Sequence, residues 1–460
     1  MLDLLKKTID RAVPPGVTYA ELRYHKRERL SFRVRKGELE NANSDVFAGV
    51  GVRVLQEGAW GFSSTSTLDF TTLKDKLKEA QKIAKITATQ KQIRVELAPV
   101  DPIEGVFRAK ENDPLRDHSI EEKIDLVLSS DKSILEANQI KSSVASYTEF
   151  YDHKILVTTD ETAVELFDAK PEFRVSAVTG RNGDIISAYD ANSITGGWEM
   201  FKQKSPDDMV AKVTNLAPRL LSAKHPKGGK YTVILKPSLV GLLSHEAFGH
   251  TVEADFVLAG SVVQGKLGEM VASDLVTMAD SGLEASTAGW LPVDDEGVKT
   301  QKTVIIRKGI LESYLHNRET AAIMDVPPTG NARAWEYDDE PIIRMRTTYI
   351  EPGDWDPDEI IADTKEGLLL SEAGGGEADL NAEFMFQVRE AYQVKNGELG
   401  ELLRGVSMTG NAIDVLKTVD AVGKDLTFDL GSGHCGKGQL MKVDGGGGTI
   451  RCQVLVGGRV

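Results

Sequence analysis

A chain of 460 residues exceeds what one ordinary hydrophobic core organises, since domains run to roughly 100 to 200 residues, and two or three units are expected. Its 41% hydrophobic and 27% charged residues suit a globular fold and argue against disorder. A formal net charge of −15 without any basic run argues against a nucleic-acid partner.

The first ten residues, Met1 to Asp10, place charges among apolar positions, so they read as an amphipathic helix and not as a secretory leader. Leu22 to Ser66 alternates apolar and polar residues, with turn signals at Lys36-Gly37 and Glu57-Gly58, which predicts an antiparallel meander. Within it, Val50, Val52 and Val54 share one face of a strand. Thr71 or Thr72 is expected to cap a helix whose apolar positions Leu73, Leu77, Ala80, Ile83 and Ala84 recur at helical spacing. Val100 to Arg116, rich in Pro, Asp and Glu, reads as an extended connection. A second helix from about Ile120 to Asn138 precedes strand-like runs at Lys154 to Thr159 and Phe173 to Val178.

A second boundary falls at His225 to Lys230, before the apolar run Tyr231 to Leu235. The expected units are thus 1–100, 101–225 and 226–460. Turn signals at Lys308-Gly309, Asn396-Gly397 and Gly445 to Gly448 mark the last unit as strand-rich, with one strongly helical segment after Lys236-Pro237-Ser238. Strands and helices are grouped rather than alternating, so the fold class is α+β: a mixed N-terminal region, then a strand-rich domain carrying one metal-binding helix. No stretch approaches ~18 apolar residues, so no membrane partner is expected. Two cysteines, Cys435 and Cys452, are too few to staple such a chain in an oxidising compartment, and a cytoplasmic location is expected.

The helical segment contains His245-Glu246-Ala247-Phe248-Gly249-His250. The familiar zinc-peptidase spacing is His-Glu-x-x-His, whose imidazoles fall on one helical face. Here one residue is added, and five residues of ideal helix leave the two imidazoles about 140° apart. A π-bulge would absorb the extra residue, and Gly249 lowers the barrier to it, so a distorted helix is predicted. By spacing alone the two histidines are either ligands or ordinary half-buried helix residues.

The wording from Leu242 to Phe256 resembles the signature of the TldD/PmbA family, in its TldD-type metallopeptidase subunits. Similar segments are Pro328 to Arg333, Gln387 to Tyr392 and Gly433 to Gln439, with Gly51-Val52-Arg53 and Gly61 to Thr65 near the start. The resemblance implies one zinc ion held by His245, His250 and Cys435, with Glu246 as general base. It also implies cleavage of flexible peptides and a dimer, with a second copy or with a related subunit lacking the metal motif. Three protein ligands leave a position open, as in catalytic zinc sites. Sheet edges in the last unit are expected to take the substrate in extended form. Cys452 is assigned to the core, Glu253 and Asp255 are either supports for an imidazole or surface charges, and His316 and His434 are left outside the site.

Two other classes are weighed. Gly431 to Lys437 matches a phosphate-binding loop up to its last position, where Gly438 replaces the Ser or Thr that would hold magnesium. A non-catalytic metal-binding or interaction subunit, in line with the family's older description as a DNA gyrase modulator, would have no chemical need for Glu246.

Overall fold

The computed structural model describes residues 1–91 and 93–458. The N-terminal meander forms as expected from β1 (Tyr19–Arg35), β2 (Glu38–Gln56) and β3 (Ala59–Thr65). Lys36-Gly37 and Glu57-Gly58 both take the left-handed conformation that a two-residue hairpin loop requires. Four more strands extend the sheet: β4 (Glu104–Arg108), β5 (Ile140–Thr158), β6 (Ala163–Arg181) and β7 (Asp184–Ser193). The order is β3-β2-β1-β5-β6-β4, with β7 on the far half of β6, so strands from 1–100 and 101–225 share one sheet. The segment expected to be only a connection supplies β4, which runs parallel to β6. The helix Phe70–Ala88 is capped by Asp69, whose carboxylate accepts from Thr72 N–H, and not by a threonine.

Both faces of this sheet are buried. One carries Leu22, Phe32, Val34, Val50, Val52, Val54, Tyr147 and Phe173 and packs under the helices Phe70–Ala88, Ile120–Glu136 and Pro206–Ser222. The other carries Glu21, Arg23, His25, Arg27, Arg53, Asp152, Lys170 and Glu172, and it meets the C-terminal half through ion pairs. Arg53 reaches Glu296 at 2.7 Å, Lys154 reaches Asp295 at 3.1 Å and Lys442 reaches Glu172 at 2.5 Å. Gly49 and Gly51 lie on this face because Tyr337 crosses there: a Cβ on Gly51 would meet the Tyr337 carbonyl at 2.3 Å.

In the C-terminal half, Glu366–Ala378, Gly229–Leu235, Ile450–Gly457, Val406–Asn411 and Glu383–Lys395 pair in that order, and the last returns to the first. These five strands of a seven-stranded sheet close on themselves, while Ala421–Val422 is attached to Ile450–Gly457 and Glu398–Leu403, whose one neighbour in the sheet is Glu383–Lys395, stands as an edge. A further stretch has a single strand neighbour: beyond Leu370 the strand Glu366–Ala378 has lost Gly229–Leu235 and pairs with Glu383–Lys395, while the Ala373 N–H donates to Ser238 Oγ at 3.1 Å. A second, six-stranded sheet includes Thr347–Ile350 beside Asp444–Gly447. The glycine run expected to be a turn is therefore a strand. Its glycines serve close approach: a Cβ on Gly446 would meet the Thr427 carbonyl at 1.9 Å, and one on Gly241 would meet the Gly446 nitrogen at 2.7 Å. The helix Pro237–Leu242 thus lies directly on bare backbone, with Leu239, Val240, Leu243, Ala247 and Phe248 in the main apolar core. Short helices at Ala254–Leu258, Arg318–Met324, Pro357–Asp363 and Ala412–Lys417 complete this half. Among the described residues no helix is long and apolar enough to cross a membrane.

Candidate metal centre

The motif helix starts as α over Pro237–Leu242, widens to π over Leu243–Phe248 and tightens to 3-10 over Gly249–Val252. The wide turn takes up the residue that the spacing adds, as a π-bulge does. It brings the His245 and His250 rings to 5.3 Å between centroids. Gly249 has ordinary helical dihedrals, φ −58° and ψ −41°, so conformational freedom is not its role. A Cβ there would lie 2.2 Å from the Met345 sulfur and 2.9 Å from the Ser244 carbonyl. Glycine lets the helix seat against Met345.

His245 is 1% exposed, and neither ring nitrogen has a hydrogen-bond partner among the described residues. A buried imidazole left unpaired is costly unless something else occupies it. The His250 Nδ1 hydrogen-bonds the Glu253 carboxylate at 2.9 Å, which turns Nε2 inward to 3.2 Å from Cys435 Sγ and 3.5 Å from Glu246 Oε2. Donor atoms of His245, Glu246, His250 and Cys435 all lie within 4.8 Å of one another. Ligands of a tetrahedral zinc sit roughly 3.3 to 3.6 Å apart, so donor type and spacing both fit such an ion.

The electrostatics agree. Burial pushes the Cys435 thiol up, but the His245 and His250 imidazoles outweigh it and bring the thiol down to about 5. Cys452 has burial without a compensating cation and is pushed up to about 12. Burial also acts to raise Glu246, and the hydrogen bond with His250 and the charges of both histidines prevail, holding it below its ordinary value as a carboxylate. For His250 burial lowers and Glu253 raises, and the net is well above the usual imidazole value.

Cys435 lies in a strand of the small hairpin His434–Gly436 and Leu440–Lys442. The fully buried Arg344 pins that hairpin, donating to the carbonyls of Cys435 and Gln439 at 2.8 Å each. Lys437 ties it to the motif helix through Glu253 at 3.1 Å and Asp255 at 2.7 Å. Glu253 thus supports an imidazole, and Asp255 anchors the hairpin. Neither Arg344 nor Lys437 stands out in the sequence, because each acts on backbone or on another support. His434 turns to Glu172 at 3.2 Å, and His316 meets Thr320 at 3.2 Å, so both stay outside the cluster. Among the described residues no helix follows Lys437, which removes the phosphate-loop geometry.

A cavity of about 350 Å³ opens onto His245 and Glu246. Its walls come from β6 and β7 (Arg174, Tyr189, Asp190), from the hairpin of the closed sheet (Glu372, Gly375, Arg389) and from the loop Asp429 to Gly433.

Three family models match the chain: PmbA/TldA metallopeptidase domain 1 over residues 20–84, the central domain over 113–221 and the C-terminal domain over 228–457. A metalloprotease of Methanocaldococcus jannaschii is 37% identical over 98% of this chain and 99% of its own. A zinc metalloprotease TldD homolog of Saccharolobus solfataricus is 30% identical over 99% of this chain and 100% of its own. Among solved structures, a putative modulator of a DNA gyrase from Thermotoga maritima superposes with a TM-score of 0.82 at 21% identity, over 99% of both chains. TldE from Thermococcus kodakarensis does so at 0.77 and 17%, again over 99% of both.

Proposed function

This chain belongs to the PmbA/TldD family as a TldD-type metallopeptidase subunit, and from that premise we propose that it is a cytoplasmic zinc-dependent peptidase acting on flexible or unfolded peptides. The observation that carries the reading is the convergence of two imidazoles, a thiol brought down to about 5 and a carboxylate, with both nitrogens of the buried His245 unpaired. His245, His250 and Cys435 would hold one zinc ion. The chemistry such an ion supplies when bound is Lewis acidity toward water and a scissile carbonyl. Glu246, ionised and facing the cavity, takes a proton from the attacking water and delivers it to the leaving amine. Glu253 fixes the tautomer and direction of His250, as carboxylates behind ligating histidines do.

The stretch Glu372 to Gly376, which lacks a second strand neighbour and lines the cavity, offers backbone groups to an extended peptide. A bound peptide found in helical form would remove that part of the reading. The family relationship supports a dimer, either of this chain or with a related subunit lacking the motif. The division into 1–100, 101–225 and 226–460 belongs to the same proposal, supported by three separately matched segments.

Elemental analysis tests it first. About one zinc per chain is expected in the parent, with loss in Cys435→Ala and in His250→Ala. Glu246→Gln should keep the metal and lose peptide cleavage by about 100-fold or more. A parent that takes up no zinc would overturn the assignment of the site.

A further inference from the structure

The charged groups around the cavity are nearly all accounted for within the protein. Asp190 is paired with Lys204 at 2.8 Å and Lys212 at 3.4 Å, Glu372 with Lys212 at 2.7 Å and Asp429 with Lys204 at 3.5 Å. Arg174 is paired with Glu172 at 2.7 Å. Arg389 is the exception: among the described residues its guanidinium has no hydrogen bond and no carboxylate within 4.0 Å. Its Cζ lies 4.3 Å over the Tyr189 ring, a stack that holds the plane while leaving the N–H edge free.

The backbone explains how Arg389 comes to face the cavity. Between Glu383–Lys395 and Glu366–Ala378 the register runs Ala391 to Leu370, Glu390 to Glu372 and then Val388 to Ala373, so Arg389 has no partner across this ladder. On the other side, pairing to Val406–Asn411 ends at Val388 and pairing to Glu398–Leu403 resumes at Ala391. Arg389 is therefore the extra residue of a bulge, and bulges re-aim side chains next to binding sites.

We propose that Arg389 is the substrate-recognition residue of this site and that it holds a carboxylate of the peptide in a bidentate pair. A guanidinium fork matches a carboxylate in plane and spacing, and one already stacked loses little freedom on binding. The carboxylate is supplied either by a peptide C-terminus or by an Asp or Glu side chain. The inference rests on the peptidase reading for its substrate class but concerns binding, so the two can fail separately.

The test uses fluorescent extended peptides in three forms: neutral with a free C-terminus, neutral and amidated, and amidated with one internal Glu. Their affinities are measured by anisotropy for the zinc-loaded Glu246→Gln protein, alone and combined with Arg389→Met or Arg389→Lys; turnover is measured with Glu246 intact. Arg389→Met should weaken binding of one or both carboxylate-bearing peptides by about 10- to 100-fold and leave the neutral amidated one within about twofold. Which peptide responds names the source of the carboxylate. Arg389→Lys should recover part of the loss, and in turnover KM should rise while kcat holds within about threefold. An equal change for all three peptides, or none, in either variant would overturn the inference and leave the peptidase reading standing. Carboxylate-dependent binding lost in Arg389→Met, with no cleavage by the parent, would keep the inference and remove the peptidase.

Discussion

The two faces of the N-terminal sheet are buried to a similar degree and built from opposite materials. The face under the helices is mainly aliphatic and aromatic, with Leu22, Val34, Tyr147 and Phe173 essentially inaccessible and one buried ion pair, Lys123 with Glu149 at 2.9 Å. The face toward the C-terminal half holds Glu21, Arg27, Arg53, Asp152 and Lys170, each no more than 6% exposed. The first gains from every apolar group removed from water, whereas the second gains only while each charge keeps its partner. That difference has a functional side. Glu172, on the charged face, holds Lys442 at 2.5 Å, and Lys442 lies in the strand paired with that of Cys435. The apolar face makes the sheet fold, and the charged face positions a candidate ligand.

The sharpest way to break this comparison is at Arg53, which contacts Glu21 through two bonds of 3.0 and 3.1 Å and Glu296 at 2.7 Å. Removing one partner of a buried pair strands the other charge. Arg53→Ala should therefore cost about 3 to 5 kcal/mol in denaturant unfolding. Replacing Arg53→Met with Glu21→Gln and Glu296→Gln should restore only part of that loss, because neutral amides still accept from Tyr19 Oη and the Arg318 N–H while Arg23, 3.3 Å from Glu21, loses its carboxylate. A single-variant cost under about 1 kcal/mol would mean that water reaches this face.

Asp152 separates the faces by pH. Burial acts to raise its carboxyl, but Arg27 first and His25 second overcome this and hold it well below the ordinary value. A depressed folded value means that the stabilisation is complete above the unfolded value of about 3.9 and is lost as pH falls from there through the folded one. Asp152→Asn should accordingly flatten the acid limb of melting temperature against pH. Phe173→Ala, on the apolar face, should lower melting temperature by a comparable or larger amount at neutral pH and leave the slope of that limb unchanged.

The apolar face was legible beforehand, because period-two alternation and the Lys36-Gly37 and Glu57-Gly58 turns are local signals. The charged face was not. A polar residue at every second position reads as solvent-facing, and nothing local says that Glu296 or Asp295 will arrive from more than a hundred residues away. The same division runs through the candidate site. His245, Glu246 and His250 form a contiguous motif, and the extra residue in their spacing foretold the wide turn. Cys435 needed the family resemblance. Lys437, Arg344 and Arg389 needed the fold, since their roles come from what a hairpin, a buried guanidinium and a bulge set beside them. The glycine run at Gly445 to Gly448 misled for a related reason: glycine permits a turn and also permits backbone to touch backbone, and only the Thr427 and Gly241 contacts decide between them.

The smallest expected effect is also the cleanest control. Ile155 lies on the apolar face at 1% exposure, in register with Tyr24 on β1 and with Glu165 on β6, and it makes no ion pair itself. Ile155→Val removes one methylene and keeps the β-branched shape, so it should cost about 0.5 to 1.5 kcal/mol. The cost should be independent of pH and salt, since no charge changes its surroundings. Combined with Arg53→Ala it should add to within about 0.5 kcal/mol, as expected for sites without shared partners. A coupling clearly larger than that would mean that the two faces relax together, and the sheet would then have to be treated as one core rather than as a partition between two.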